Sequence, residues 1–306
     1  MSAVAGVWAV VVSYHPGQEL RGLLESLTEQ CEGVVVVDNG SDADELSGSS
    51  GIRSLCHAVG AVLVEQGANT GVATAQNRGI SVVRARGARF VVLFDDDSAP
   101  SDGMIAKLRE ALAQGDHGRV AAVGPLIREN KPGGDQLVYV ARRWGPRRAT
   151  VDELRSPRLS AAFLLASGCL IDLDVLAEVG GMNEAMFIDH VDLEWGLRAR
   201  KAGYALLVAT GTVMNHSLGD ETVQLPGRAQ PVHVHGPIRG YYLMRNTIAL
   251  IRSGLMPVAW RVGYLVWMLK YIAFNALIAD RRRERLRAMS RGIVDGLRDR
   301  GGPAPF

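Results

Sequence analysis

The sequence predicts an α/β fold, a mostly parallel sheet flanked by helices with a C-terminal helical extension. Apolar, β-branched runs alternate with segments whose apolar residues recur at helical spacing, the pattern of βαβ units. Several of those runs end abruptly in polar clusters, as strands do where a parallel sheet turns its C-terminal edge toward a ligand. From Pro237 onward strand-like runs give way to helical periodicity, punctuated by Pro257 and by Gly301-Gly302-Pro303.

Val7 to Val12 is the first buried strand. It leads through Ser13-Tyr14-His15-Pro16 into a helix over about 18–30, with Leu20, Leu23, Leu24 and Leu27 on one face. Val34 to Val37 is the second strand, ending in Asp38-Asn39-Gly40-Ser41, and Ala61 to Val64 is the third. After a turn at Gly67 to Gly71, a helix runs over about 73–86. The fourth strand, Phe90-Val91-Val92-Leu93-Phe94, is apolar on both faces and stops at Asp95-Asp96-Asp97-Ser98. Beyond it, Val120 to Ile127 reads as a strand and 128–158 as a long irregular loop or flap. Ser167 to Ile171 leads into a helix over 174–179, 189–202 is a charged helix ending at Gly203, and Ala205 to Ala209 is a short strand. The expected division is an α/β domain over 1–236 and a helical region over 237–306.

At 306 residues and 47% hydrophobic content the chain can bury a large core, and a formal net charge of +2 gives no case for nucleic-acid binding. Charge is concentrated locally instead: Arg281 to Arg300 holds eight Arg against Glu284, Asp295 and Asp299. Cys31, Cys56 and Cys169 are odd in number and lack metal-ligand spacing, which points to a reducing cytoplasm rather than a disulfide framework or zinc site. No Lys or Arg precedes Val7 to Val12, which argues against a signal peptide.

Three adjacent carboxylates at Asp95, Asp96 and Asp97 repel unless a cation joins them, and Mg²⁺ or Mn²⁺ takes carboxylate and phosphate oxygens together. The same residues also suit a solvated turn capping a helix near Pro100. Asp38 can accept from a base N–H or a ribose hydroxyl, while Asp-Asn-Gly is equally a ready turn. Neither a Gly-x-Gly-x-x-Gly after the first strand nor a Gly-x-x-x-x-Gly-Lys-Ser/Thr loop occurs. Asn69 to Gly79 carries small residues at Gly71, Ala73 and Ala75, which suit close approach of a ligand or a tightly packed loop-to-helix junction; Arg78 can face a diphosphate. In Phe187 to Arg198, Asp189 and Asp192 fall on one helical face and Glu194 and Arg198 form an i,i+4 pair. A carboxylate there, held near an apolar wall, can act as a general base toward a hydroxyl. His216, beyond a strand end, is either a structural histidine or a ligand completing a metal site begun by Asp97.

In this order, the Ser13-Tyr14 strand end, Asp38-Asn39-Gly40-Ser41, Asn69-x-Gly71-x-Ala73-x-Ala75-x-Asn77-x-Gly79, Asp95-Asp96-Asp97, Ser167-Gly168, Asp192-x-Glu194-Trp195 and His216 resemble an inverting glycosyltransferase of family 2 with the GT-A fold. The resemblance covers about residues 7–220. Phe187 to Arg198, with Tyr241-Tyr242-Leu243-Met244-Arg245-Asn246, is similar to bacterial rhamnosyltransferases that use dTDP-L-rhamnose.

The resemblance implies that the sheet binds a nucleotide-sugar, dTDP-L-rhamnose or another, through Ser13, Tyr14, Asp38, Asn39, Asn69, Gly71, Asn77, Arg78, Asp95 and Asp96. It implies a divalent cation, Mg²⁺ or Mn²⁺, on Asp97 and His216. The general base would be Asp192, because Val191-Asp192 stands where the commoner pattern has Glu-Asp; Asp189 and Trp195 would contact the acceptor, a cell-envelope saccharide, lipid-linked or free. Two other readings start from the same carboxylates. A nucleotide-sugar pyrophosphorylase would need a Gly-rich basic loop, which is missing after Val12, and a non-catalytic binding protein sits poorly with intact Asp97, Asp192 and His216.

Met256 to Ile278 is strongly apolar, interrupted by Arg261 and Lys270, with Trp260, Tyr264, Trp267 and Tyr271 at helical spacing. Two basic residues and Pro257 favour an amphipathic helix in the membrane interface over a spanning one, and Arg281-Arg282-Arg283-Glu284-Arg285 suits anionic headgroups. Packing on the catalytic domain, or on a second subunit of a homo-oligomer, is the other reading. The expected location is cytoplasmic, peripheral on the inner face of the cell membrane.

Overall fold

The four apolar runs of the N-terminal half are parallel neighbours in the computed structural model, which describes residues 3–114, 118–129, 136–216, 221–223, 232–234 and 236–306. β1 (Val4–Ser13), β2 (Cys31–Asp38), β3 (Val62–Glu65) and β4 (Phe90–Asp95) lie in the order β3-β2-β1-β4. Their connections are helical: α1 (Glu19–Gln30), then α2 (Ala43–Leu46) and α3 (Ile52–Val59), then α4 (Val72–Ala85). Alternation along β1 sends Val7, Ala9 and Val11 against Leu20, Leu24 and Leu27 of α1, and Val10 and Val12 against Ala73, Ile80 and Val83 of α4. The register sets Ser13 beside Asp38, Asp38 beside Glu65 and Val12 beside Asp95, so four polar strand ends share one edge.

Beyond β4 the chain forms β5 (Ser98–Pro100), α5 (Met104–Ala113), β6 (Val120–Glu129), β7 (Tyr139–Arg142), β8 (Gly145–Arg148), β9 (Arg158–Ser160) and β10 (Cys169–Asp172). α6 (Leu173–Val179), α7 (Val191–Lys201) and β11 (Ala205–His216) follow, then β12 (Glu221–Val223), β13 (Val232–Val234), α8 (Pro237–Arg252), α9 (Val258–Leu277) and α10 (Arg282–Leu297). Parallel pairing stops at β10, which enters antiparallel between β4 and β6. β6 and β11 are again parallel, and β5 and β9 pair antiparallel with β11.

Several elements differ from the sequence expectation. The helix expected near Pro100 begins at Met104, because Ser98–Pro100 pairs with Met214–His216. The described part of 128–158 contains the β7–β8 hairpin and β9 rather than irregular loop alone. β11 continues to His216 past a register shift between Ala209 and Val213, where a short strand was expected. Helix α7 starts at Val191, not at Asp189: Phe187, Asp189 and His190 have φ of 62°, 64° and 63°, left-handed values that a right-handed helix cannot contain. Asp189 and Asp192 therefore do not share a helical face.

The C-terminal helices pack on the loop before α7. Arg245 donates to the Ala185 and Met186 carbonyls at 3.0 and 2.7 Å, and Asn246 Nδ2 donates to the carbonyls of Met186, Ile188 and Asp189 at 3.0, 2.8 and 2.8 Å. α10 closes on α8 through the buried Asp295 carboxylate, which accepts from Tyr241 at 3.0 Å and Arg291 at 3.1 Å. Among the described residues, no helix is long and apolar enough to cross a membrane.

Candidate active site

The ends of β1, β2 and β4 are tied to one another. Tyr14 donates its backbone N–H to Asp96 Oδ2 at 2.9 Å, and Asn39 donates its own to the Ser13 carbonyl at 2.7 Å. Ser167, just before β10, accepts the Asp95 N–H at 3.0 Å and shares a short hydrogen bond with the Ser98 hydroxyl. The turn through Asp95-Asp96-Asp97 is thus fixed at both ends, with all three carboxylates half-buried. Burial pushes the Asp96 carboxyl up to about 6; the Tyr14 amide opposes the shift and the charges of Asp95 and Asp97 add to it.

An all-oxygen donor set under mutual repulsion fits a hard divalent cation. The His216 backbone pairs with Ser98, one residue past the triad, and its side chain lies outside the described residues. Among the described residues, His15, Asp42 and Glu45 bring ligand atoms within 4.8 Å of one another at the surface. Glu45 there already accepts the Asp42 N–H at 2.8 Å and pairs with His15 at 2.7 Å, so the group caps α2.

Asp38 is fully buried, and its carboxylate accepts the Gly40 and Ser41 N–H groups, each at 3.2 Å. The turn chemistry foreseen for Asp-Asn-Gly is present, and it holds the carboxylate at the strand edge with lone pairs to spare. Asn39 and Asn69 bind each other at 3.1 Å; Asn39 Oδ1 also accepts the Thr70 N–H at 3.0 Å and Asn69 Oδ1 the Gly71 N–H at 3.1 Å. These side chains stitch the loop after β2 to the loop before α4.

The Asn69–Gly79 segment packs mainly against protein. Gly71 has φ 90°, and a Cβ there would lie 2.7 Å from the Phe187 ring and carbonyl. A Cβ on Gly79 would lie 2.3 Å from Val10 Cγ1, so this glycine sets how closely α4 approaches β1. Asn77 accepts the Met182 N–H at 2.8 Å and donates to the Met182 carbonyl at 2.9 Å and Glu184 at 2.8 Å. Its hydrogen-bonding capacity is spent on the segment leading to α7, while Arg78 is exposed on α4.

Asp192 sits in the first turn of α7, its Oδ1 accepting the Leu193 N–H at 2.7 Å. Burial pushes its carboxyl up to about 7, helped by the charges of Asp189 and Asp95 and opposed by the Leu193 amide. It faces a small recess lined by Gln76, Leu93, Cys169, Met182 and Trp195. An apolar wall and a carboxyl held near neutrality are the surroundings that suit proton transfer, and the charge of Asp95 acts on this carboxyl.

Trp195 is buried and donates its indole N–H to the Gly180 carbonyl at 3.0 Å, so it forms the recess wall rather than an open surface. The buried Glu194 pairs with the half-buried Arg198 at 2.8 Å, and Arg198 also donates to the Val179 carbonyl at 2.8 Å, so the pair braces α7 against the end of α6. Asp189 is held by Arg239 of α8 at 2.5 Å. Sequence reasoning passed over Gln76, whose side chain is buried with an Oε1 that has no hydrogen-bond partner among the described residues. Its signal was present: Gln76 lies on the arc of Ala73, Gly79, Ile80 and Val83, where only small or apolar residues are expected.

Residues 8–180 match the sequence profile of the family described as Glycosyl transferase family 2. The chain is 29% identical over 302 residues to the dTDP-rhamnosyl transferase RfbF of Shigella flexneri, covering 96% of each chain. It is 25% identical over 309 residues to the N-acetylglucosaminyl-diphospho-decaprenol L-rhamnosyltransferase of Mycobacterium tuberculosis, covering 91% of this chain and 96% of that one. Among solved structures it resembles the mannosyltransferase PcManGT from Pyrobaculum calidifontis in complex with GDP-Man and Mn²⁺, at TM-score 0.57 and 17% identity over 96% of this chain and 87% of that one. That likeness identifies the GT-A fold.

Proposed function

The chain belongs to glycosyl transferase family 2 and is a glycosyltransferase, and from that premise we propose that it moves L-rhamnose from dTDP-L-rhamnose to a saccharide acceptor, inverting the anomeric carbon with the help of a divalent cation. The observation that carries the chemistry is Asp192, a half-buried carboxyl raised to about 7 and within electrostatic reach of Asp95. The donor is supported by the dTDP-rhamnosyl transferase relative, aligned over 96% of both chains. A lipid-carried acceptor is supported by the decaprenol named in the second relative. The work place we propose is the cytoplasmic face of the membrane.

In this reading Asp38 and the turn after β1 hold the nucleoside, with its carboxylate facing the base. Asp95 and Asp96 address the ribose and diphosphate. Asp97, with His216, would hold Mg²⁺ or Mn²⁺, which when bound offsets the charge that develops on the departing diphosphate. Asp192 takes the proton of the acceptor hydroxyl as its oxygen bonds the anomeric carbon, and the bond to the diphosphate breaks on the opposite face. One displacement gives inversion, and no second carboxylate is needed as a nucleophile. Asp189, paired with Arg239, orients the start of α7 beside the proposed acceptor position.

The test is the melting temperature of the full chain with dTDP, UDP or GDP, each with Mn²⁺ or Mg²⁺. A ligand at one hundred times its Kd adds about 2.7 kcal/mol to folded stability, so the preferred nucleotide reads out directly. dTDP with the cation is expected to give the largest rise; a larger rise with UDP or GDP would remove dTDP-L-rhamnose as the donor.

A further inference from the structure

α9 has two apolar faces, and the described residues cover only one. On the inner side Trp260 donates its indole N–H to the Arg142 carbonyl at 2.8 Å, and Tyr264 and Trp267 set their rings against His190 at 6.2 and 6.3 Å. On the outer side Val258, Val262, Leu265, Val266, Leu269 and Leu277 form one stripe along the helix; Val258, Leu269 and Leu277 are 74%, 67% and 70% exposed. Twenty residues of helix carry that stripe for about 30 Å, too long to be a scatter of single surface residues.

Charge identifies what covers it. No Asp or Glu occurs between Val258 and Ile278, where the charged residues are Arg261 and Lys270. Directly past the helix end come the exposed Arg281, Arg282 and Arg283, and Arg287 follows one turn later. Asp280 and Glu284 are paired, with Arg285 and Arg281 respectively, and the segment stays positive. A second copy laid on this stripe would set basic groups against basic groups whichever way the two helices ran, with no carboxylate on α9 to offset them. An anionic bilayer answers both features, since acyl chains accept the stripe and phosphate headgroups accept the arginines.

We infer that the outer face of α9, with Arg281 to Arg283, docks the enzyme on an anionic lipid surface and thereby sets the loop of Asp192 one helix thickness from the bilayer. The inner face of the same helix touches His190, two residues before Asp192, and a helix with its side chains is about 10 Å across. A hydroxyl on the headgroup of a lipid-carried acceptor would meet the base at that depth. The inference rests on the rhamnosyl-transfer reading only for its purpose, because docking itself is measured without nucleotide or acceptor.

The experiment is co-sedimentation of the full chain with vesicles of phosphatidylglycerol and phosphatidylcholine, against vesicles of phosphatidylcholine alone. Binding is expected to be at least tenfold tighter on the anionic vesicles and to fall with salt. Val266→Glu with Leu269→Glu, and separately Arg282→Glu with Arg283→Glu, should each weaken it at least tenfold. Both pairs alter exposed positions, so near-ultraviolet circular dichroism and transfer to a lipid-free saccharide should match the parent. Equal binding to both vesicle types, variants that bind like the parent, or a concentration-dependent dimer abolished by Leu269→Glu would overturn the inference. Vesicle binding without any transfer would leave it standing and fail the catalytic reading instead.

Discussion

Arg239 grips Asp189 through two hydrogen bonds, Nη2 to Oδ1 at 2.5 Å and Nε to Oδ2 at 3.3 Å, across 50 residues of chain. The pair holds a left-handed backbone three residues ahead of Asp192, and Asn246 binds three carbonyls of the same loop. The C-terminal helices therefore hold the loop that leads into α7 and Asp192.

Arg239→Leu leaves a carboxylate that is only 8% exposed facing an apolar side chain. Breaking such a pair from one side costs about 3 kcal/mol, most of it the penalty of the stranded charge. Urea unfolding should show that loss, and adding Asp189→Asn to Arg239→Leu should recover at least half of it. Equal stability of the single and double variants would mean that the pair does not hold the loop.

The raised Asp192 carboxyl gives two opposite pH trends. Between its ordinary value of 3.8 and about 7, the folded chain keeps a proton that the unfolded chain has released. Its contribution to stability is therefore complete at low pH and is lost as the pH rises toward 7. Activity runs the other way, since the base works only when deprotonated, so kcat/KM should climb through about pH 7. Asp192→Asn should abolish that climb and remove its share of the fall in stability, leaving the part that the raised Asp96 carboxyl contributes up to about pH 6.

Gln76 Oε1 has no hydrogen-bond partner among the described residues, a cost of about 1–3 kcal/mol, and it lines the same recess as Asp192. Gln76→Leu is expected to stabilise the fold by about 1 kcal/mol and to lower transfer about tenfold, a pairing of signs typical of functional positions. Thermal unfolding and initial rates check it; a variant both less stable and fully active would mark Gln76 as ordinary core.

Chelation by EDTA should stop transfer and Mn²⁺ should restore it. Asp97→Asn should weaken dTDP binding at least tenfold in the presence of Mn²⁺ and little in its absence, read by titration calorimetry. A cation-independent loss would place Asp97 on the nucleotide and not on the metal.

The strand ends were legible because a strand buried on both faces is a continuous apolar run, and its first carboxylate marks where it leaves the sheet. Asp38 and Asp95 were found that way. The helical start at Asp189 was misread because Phe187, Asp189 and His190 adopt φ > 0, which no local pattern of non-glycine residues announces. β7 and β8 escaped because Tyr139–Arg142 and Gly145–Arg148 mix apolar, basic and Pro residues without alternation. β11 was cut short because Gly211 follows Ala209 at its register shift. The clamp by Arg239, Arg245 and Asn246 depends on contacts some fifty to sixty residues apart, which spacing cannot reveal.

Single-turnover transfer from dTDP-L-rhamnose by Asp192→Asn tests most directly the proposed removal of the acceptor proton by Asp192. The amide keeps the shape of the site but cannot take a proton, so the rate should fall by about 10³-fold or more while dTDP affinity stays within a factor of about three. A rate within tenfold of the parent enzyme would contradict the assignment.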